Sequence, residues 1–348
     1  MRSDFPYEKS GLSGFIIVLL CCLTTACKNG DLRSRAPTTK FAPHALFSRS
    51  RAAPDAGAPE PIIDPMLKTV TVASTDPSIR FKPDENHLYR ECDSSLCADD
   101  QTLFVFLPGT DGSPGNYMRI AGVIGKTGIR VLVLAYQNNG SAQSICTGSN
   151  ADACFTNFRR DRVSGSAASD YVNTASDGIE NRVLKALQKL GWSQFYSGST
   201  ILWGKIIIGG FSQGAGLAAW IGKHHSVARV CQISGPWDHT KSPAGPESAS
   251  WLSETTVTNA ALFYGFTHQN DLMVNGVNYL DGNWSRLGMP GTPEFYSSSM
   301  TGQKLYSNDS TTGCRANPHG CSVMDAVTPL SPDGSPKFAA VWRYVCGR

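Results

Sequence analysis

Apolar and polar positions change rhythm repeatedly along the C-terminal five-sixths of this chain. Residues 103–107, 129–135, 206–208, 228–234 and 260–266 are short, nearly unbroken aliphatic and aromatic runs. Strands of that kind are buried on both faces of a sheet. Residues 67–72 alternate apolar and polar as an edge strand does, and 303–306 is the last strand candidate. Between the runs the period lengthens. Ile179, Val183, Leu184, Leu187 and Leu190 fall on one helical face that opens at Ser176-Asp177 and stops at Gly191. Residues 117–124 and 338–345 read as two further helices. Strands alternating with helices predict an α/β fold, a mostly parallel sheet with helices on both faces. Two stretches break the rhythm and read as irregular: 76–100, and a long Gly/Ser/Asn-rich insertion over 136–175. Residues 27–65, rich in Ala, Pro, Arg and Ser without periodicity, predict a disordered linker before a single domain at 66–348.

The run Ile206-Ile207-Ile208 ends abruptly at Gly209-Gly210-Phe211-Ser212-Gln213-Gly214, and the small residues Ala215, Gly216, Ala218 and Ala219 follow. Strand, tight turn and small-residue helix make the context in which Gly-x-Ser-x-Gly becomes a nucleophile elbow rather than a chance match in a chain with 34 glycines. Through Gly210, Ser212 and Gly214 the sequence resembles the α/β-hydrolase superfamily. That resemblance implies an α/β-hydrolase fold and a triad in the order serine, acid, histidine. It also implies that the loop after the strand 103–107, Pro108-Gly109-Thr110-Asp111-Gly112, lends an N–H from Thr110 or Gly109 to an oxyanion hole shared with Gln213.

Five histidines follow Ser212. His224 and His225 lie on the helix after the elbow, too near in sequence to fold back over it. His319, in Asn317-Pro318-His319-Gly320-Cys321 between the last strand and the last helix, stands where the fold delivers its base. Two carboxylates contend for the acid. Asp271 follows the penultimate strand and is preferred; Asp238 follows the strand before it, and with His268 would form a rival dyad. Arg159, Arg160 and Arg162 in the insertion read as surface arginines.

Composition narrows the class. Of 348 residues 17% are charged, and the net charge is +3, so neither a basic stripe for nucleic acid nor an acidic tail is present. Gly125-Lys126-Thr127 resembles the end of a phosphate-binding loop, but Ile120 occupies the first glycine's place and a helix precedes it instead of a strand. Residues 15–23 form an apolar run too short to span a bilayer, preceded by Arg2 and Lys9 and followed by Thr24-Thr25-Ala26-Cys27. This predicts a signal peptide over residues 1–26. The stretch is similar to a bacterial lipoprotein signal, in which Cys27 would carry a lipid and tether the chain to a membrane; Thr24 and the early Leu23 depart from that pattern. Beyond Cys27 eight cysteines remain, as an exported protein in an oxidising compartment would have. Proximity pairs Cys92 with Cys97, Cys146 with Cys154 and Cys314 with Cys321, leaving Cys231 and Cys346 as a long bridge or two buried thiols. No Cys-x-x-Cys or matched histidine pair suggests a metal, and no cofactor is called for.

The expectation is a periplasmic, secreted or lipid-anchored serine hydrolase acting on a small-molecule or lipid-like carboxylic ester. A catalytically inactive hydrolase fold used for binding, and a peptidase or acyltransferase on the same triad, are the alternatives.

Overall fold

The computed structural model describes residues 62–92, 97, 102–148, 150–166, 173–242, 245–271 and 277–347. The signal segment, Cys27 and nearly all of the linker lie outside the described residues.

Nine strands form one sheet: β1 (Leu67–Thr71), β2 (Asn86–Arg90), β3 (Leu103–Leu107), β4 (Arg130–Val133), β5 (Ile206–Phe211), β6 (Arg229–Ile233), β7 (Phe263–His268), β8 (Glu294–Phe295) and β9 (Lys304–Ser307). Their order across the sheet is β1-β2-β4-β3-β5-β6-β7-β9-β8. β1 and β2, and β2 and β4, pair antiparallel, and every other pair is parallel. The chain runs from β3 outward to β4 and then returns past β3 to β5, so the sheet changes direction between β3 and β5. Ligands bind at such a switch, beyond the carboxyl ends of the strands.

Six helices matter here: α1 (Met118–Gly125), α2 (Ala151–Ser164), α3 (Ile179–Leu190), α4 (Gln213–His224), α5 (Val277–Arg286) and α6 (Ala339–Cys346). β3 shows how they divide. Its residues alternate between the faces of the sheet, and all five are fully buried. Leu103, Val105 and Leu107 enter one core with apolar residues of α2, α3, α4 and α5. Phe104 and Phe106 enter the other, with Ile120, Ala121 and Ile124 of α1 and Val341, Trp342 and Val345 of α6. Helices on both faces of a mostly parallel sheet, with an elbow serine between β5 and α4, make this an α/β-hydrolase fold.

Disulfides join Cys92 to Cys97, Cys146 to Cys154, Cys314 to Cys321, and Cys231 of β6 to Cys346 of α6. Three follow the pairing expected by proximity, the fourth is the long bridge rather than two buried thiols, and together they fit an oxidising, extracytoplasmic location. Among the described residues, no helix is long and apolar enough to cross a membrane.

Two stretches read as irregular each contain a regular element. Residues 86–90 form β2, hidden in the sequence because His87 and Arg90 occupy buried positions. Each has a partner that explains it: His87 Nδ1 accepts the Ala135 N–H at 3.0 Å, and Arg90 Nε donates to Asp64 Oδ2 at 2.8 Å. The insertion carries the 14-residue α2, whose buried face includes Phe155 and Phe158 but also Arg159, Asp161 and Arg162. Arg159 and Arg162 are therefore core residues, and of the three arginines only Arg160 is exposed.

Candidate active site

Register brings the loops together. Leu107, the last residue of β3, pairs with Gly210, and Phe211 pairs with Ile233, which pairs in turn with Phe266. The chain therefore leaves β3, β5, β6 and β7 at one edge, delivering Thr110, Ser212, Asp238 and Asp271 to it.

Ser212 is half-buried and has φ 54° and ψ −115°, a conformation that L-residues rarely adopt. Such strain persists only where the surroundings enforce it, and it clusters at functional sites. Here the enforcement is crowding. A Cβ on Gly210 would lie 2.3 Å from the carbonyl of Gly214, and one on Gly214 would lie 2.0 Å from the Leu107 oxygen. The Ser212 N–H donates to the Ile233 carbonyl at 2.9 Å, and Gly216 N–H returns to the Ser212 carbonyl at 3.2 Å. Backbone is thus fixed on both sides of the hydroxyl. Gln213 opens α4, so its N–H has no carbonyl four residues back.

The loop after β3 is held by buried polar groups. Tyr136 Oη donates to the Pro108 carbonyl at 2.6 Å, and Asn138 Nδ2 donates to the carbonyls of Gly109 and Gly112 at 2.6 and 2.7 Å. The Gly109 N–H donates to Tyr117 Oη at 3.1 Å. Burial pushes both phenols well above their ordinary pKa, so both stay neutral hydrogen-bonding groups. Of the two amides expected to face an oxyanion, that of Gly109 is consequently occupied. Among the described residues the Thr110 N–H has no protein acceptor, while its hydroxyl donates to Gln213 Oε1 at 3.2 Å. A Cβ at Gly109 would meet the Phe211 ring at 2.7 Å, so the glycine makes room for the residue before Ser212.

His319 is buried, and its Nδ1 lies 2.9 and 3.1 Å from the two carboxylate oxygens of Asp271. Asp271 is fully buried and accepts a further bond from Thr267 Oγ1 at 3.0 Å. A carboxylate can only accept, so Nδ1 carries a proton, and in the neutral imidazole Nε2 keeps its lone pair. That Nε2 is buried and, among the described residues, has no hydrogen-bond partner. The imidazole packs on Phe211, the residue before Ser212, with ring centroids 4.7 Å apart, and lies 6.1 Å from the Trp237 ring. The imidazole therefore sits beside the elbow.

The rival arrangement is not built. Asp238 receives Arg159 Nε at 2.9 Å, a second bond from Arg159 Nη2, and Trp251 Nε1 at 2.8 Å. Arg159 also reaches the Gln213 carbonyl at 2.9 Å, so this ion pair braces the start of α4. His268 is engaged elsewhere: its Nδ1 accepts the Asn270 N–H at 3.0 Å and its Nε2 lies 2.9 Å from the Asp309 carbonyl. His268 comes within metal-ligand reach of Cys314 and Cys321, but those two sulfurs are bonded to each other.

Neither a protein-family model nor a curated protein matches the sequence. Among solved structures the chain is similar to a CE1 ferulic acid esterase from the anaerobic fungus Anaeromyces mucronatus, in two states. Without substrate the identity is 12% and the TM-score 0.38, over 74% of this chain and 88% of that one. In complex with ferulic acid the identity is 10% and the TM-score 0.36, over 69% of this chain and 86% of that one.

Proposed function

We propose that this protein is an extracytoplasmic serine hydrolase that cleaves a carboxylic ester through an acyl-enzyme intermediate. Ser212 is the nucleophile, His319 the general base and Asp271 the group that orients it. The observation that carries this reading is the imidazole of His319, fixed by Asp271 at Nδ1, without a hydrogen-bond partner at Nε2 among the described residues, and packed against the residue next to a strained serine.

A serine hydroxyl is a poor nucleophile until a base takes its proton. In the proposed reaction Ser212 Oγ attacks the ester carbonyl carbon as its proton passes to His319 Nε2. Asp271 stabilises the imidazolium and keeps it in the productive tautomer. The carbonyl oxygen becomes an oxyanion between the N–H groups of Gln213 and Thr110, which need no reorganisation because Asn138 and Tyr136 already hold the loop. His319 then returns the proton to the departing alkoxide, and water repeats the sequence to release the acid. In unliganded enzymes the hydroxyl-to-imidazole hydrogen bond is often long and tightens only with substrate.

The test is covalent labelling. A fluorophosphonate probe is expected to label the oxidised protein at Ser212 alone, and His319→Ala to suppress that labelling. Full-strength labelling of Ser212→Ala would overturn the assignment.

A further inference from the structure

Behind Asp271 and His319 lies a cluster of three buried hydroxyls, from Ser234 just after β6, Thr267 within β7 and Ser322 in the helical turn after His319. Ser234, Thr267 and Ser322 are all fully buried. Ser234 Oγ lies 2.9 Å from Thr267 Oγ1 and 2.9 Å from Ser322 Oγ. At one end Thr267 donates to Asp271 Oδ2; at the other Ser322 Oγ lies 3.0 Å from the carbonyl oxygen of His319 itself. Because the carboxylate only accepts, the Thr267 proton points at it, and the lone pair of Thr267 is left to accept from Ser234. Ser234 can then accept from Ser322. Ser322 has one proton, which goes either to Ser234 or to the His319 carbonyl, an acceptor that Ser234 Oγ also approaches at 3.3 Å. When Ser322 donates to Ser234, the three hydroxyls donate in series toward Asp271, an arrangement in which hydrogen bonds polarise and strengthen one another. Ser234 also has φ 49°, a left-handed conformation unusual for a serine. It is held there by its own N–H on the Phe266 carbonyl at 2.9 Å and by Trp237 Nε1 on its carbonyl at 2.5 Å. Strain at a fully buried residue persists only where the surroundings enforce it.

We propose that Ser234, Thr267 and Ser322 are positioning residues, a buried hydroxyl cluster set between the Asp271 carboxylate and the His319 backbone, with Thr267 as its contact on the acid. The inference rests on the assignment of Asp271 and His319 as acid and base. The donor from Thr267 shares the charge of the carboxylate with the imidazole. Removing it concentrates that charge on the imidazolium and frees the carboxylate to rotate.

The test compares Thr267→Val, Thr267→Ser and Ser322→Ala in the oxidised protein, on a soluble nitrophenyl ester, with active sites titrated by the fluorophosphonate probe. Thr267→Val should lose roughly ten- to hundredfold in kcat/KM per titrated site, the value of a hydrogen bond to a charged group. The acid limb of its pH profile should move upward, Thr267→Ser should restore both, and Ser322→Ala should shift the limb the same way by less. A purely structural role would reduce the number of titratable sites and leave the limb in place; that result, or wild-type kcat/KM in folded Thr267→Val, overturns the proposal. Should Thr267→Val fail to fold, an unmoved limb in Ser322→Ala overturns it equally. His319→Ala separates the two levels: a rate retained there sinks the triad itself, whereas an inactive His319→Ala beside an unchanged Thr267→Val sinks only the hydroxyl chain.

Discussion

Two buried aspartates differ in what holds them, and replacing each by asparagine should therefore damage different properties. Asp238 faces a guanidinium. Its side chain and that of Arg159 are 1% and 2% exposed, and Asp238 accepts two bonds from Arg159 and one from Trp251. Asp238→Asn keeps the shape but removes the charge, leaving Arg159 buried and uncompensated. Breaking a buried pair from one side costs about 3–5 kcal/mol. With a urea slope of roughly 3 kcal/mol/M for a domain of this size, the unfolding midpoint should fall by about 1–2 M. Catalysis per titrated site should change little, because Asp238 makes no bond to His319. Asp271→Asn predicts the reverse. Its partner is an imidazole rather than a fixed cation, so stability should fall far less. The amide can donate to Nδ1 and invert the tautomer, and in a serine triad that substitution lowers kcat about 10⁴-fold. The assay is urea unfolding followed by fluorescence, with disulfides intact, beside active-site-normalised hydrolysis of a nitrophenyl ester. An Asp238→Asn protein that keeps its midpoint and loses its rate would refute this division, and with it the choice of Asp271 as acid.

Burial lowers the pKa of His87 to about 3, so the native state keeps it neutral while the unfolded chain binds a proton as pH falls below the ordinary histidine range. Its contribution to stability is thus present above about pH 6.5 and lost progressively toward pH 3; His87→Asn should flatten the decline in unfolding free energy over that window, and an unchanged slope would contradict the buried neutral imidazole. Asp325, which accepts the N–H groups of Met118 and Arg119, is pushed up to about 7 by burial, so its native form favours protonation and it costs stability as pH rises through 7. Asp325→Asn should accordingly gain relative to wild type between pH 4 and 8 in the same unfolding assay, and a constant difference would count against the assignment. Gly214→Ala forces a Cβ to 2.0 Å from the Leu107 oxygen and should cost about 3 kcal/mol of stability along with activity, measurable by thermal unfolding.

Much of the fold was legible because the signals for it are local. A β-branched run, a glycine-bounded serine and a small-residue helix specify the elbow within sixteen residues, and β3 to β7 announce themselves by continuous apolarity. The eight cysteines could be paired because three pairs lie within eight residues of each other. Local signals fail where a charged side chain is buried, since its polarity says surface until its partner is known. β2 was hidden by His87 and Arg90, and α2 by Arg159, Asp161 and Arg162. The same reason governs the site. By itself the sequence determined a serine at a strand-to-helix turn, a histidine between the last strand and the last helix, and two aspartates after neighbouring strands. Which aspartate meets the histidine was decided by the tertiary structure, because Arg159, 79 residues upstream, neutralises Asp238 and leaves Asp271 to His319. The pairing of a buried charge is a property of what the whole chain brings within about 3 Å of it, and no stretch of neighbours in sequence records that.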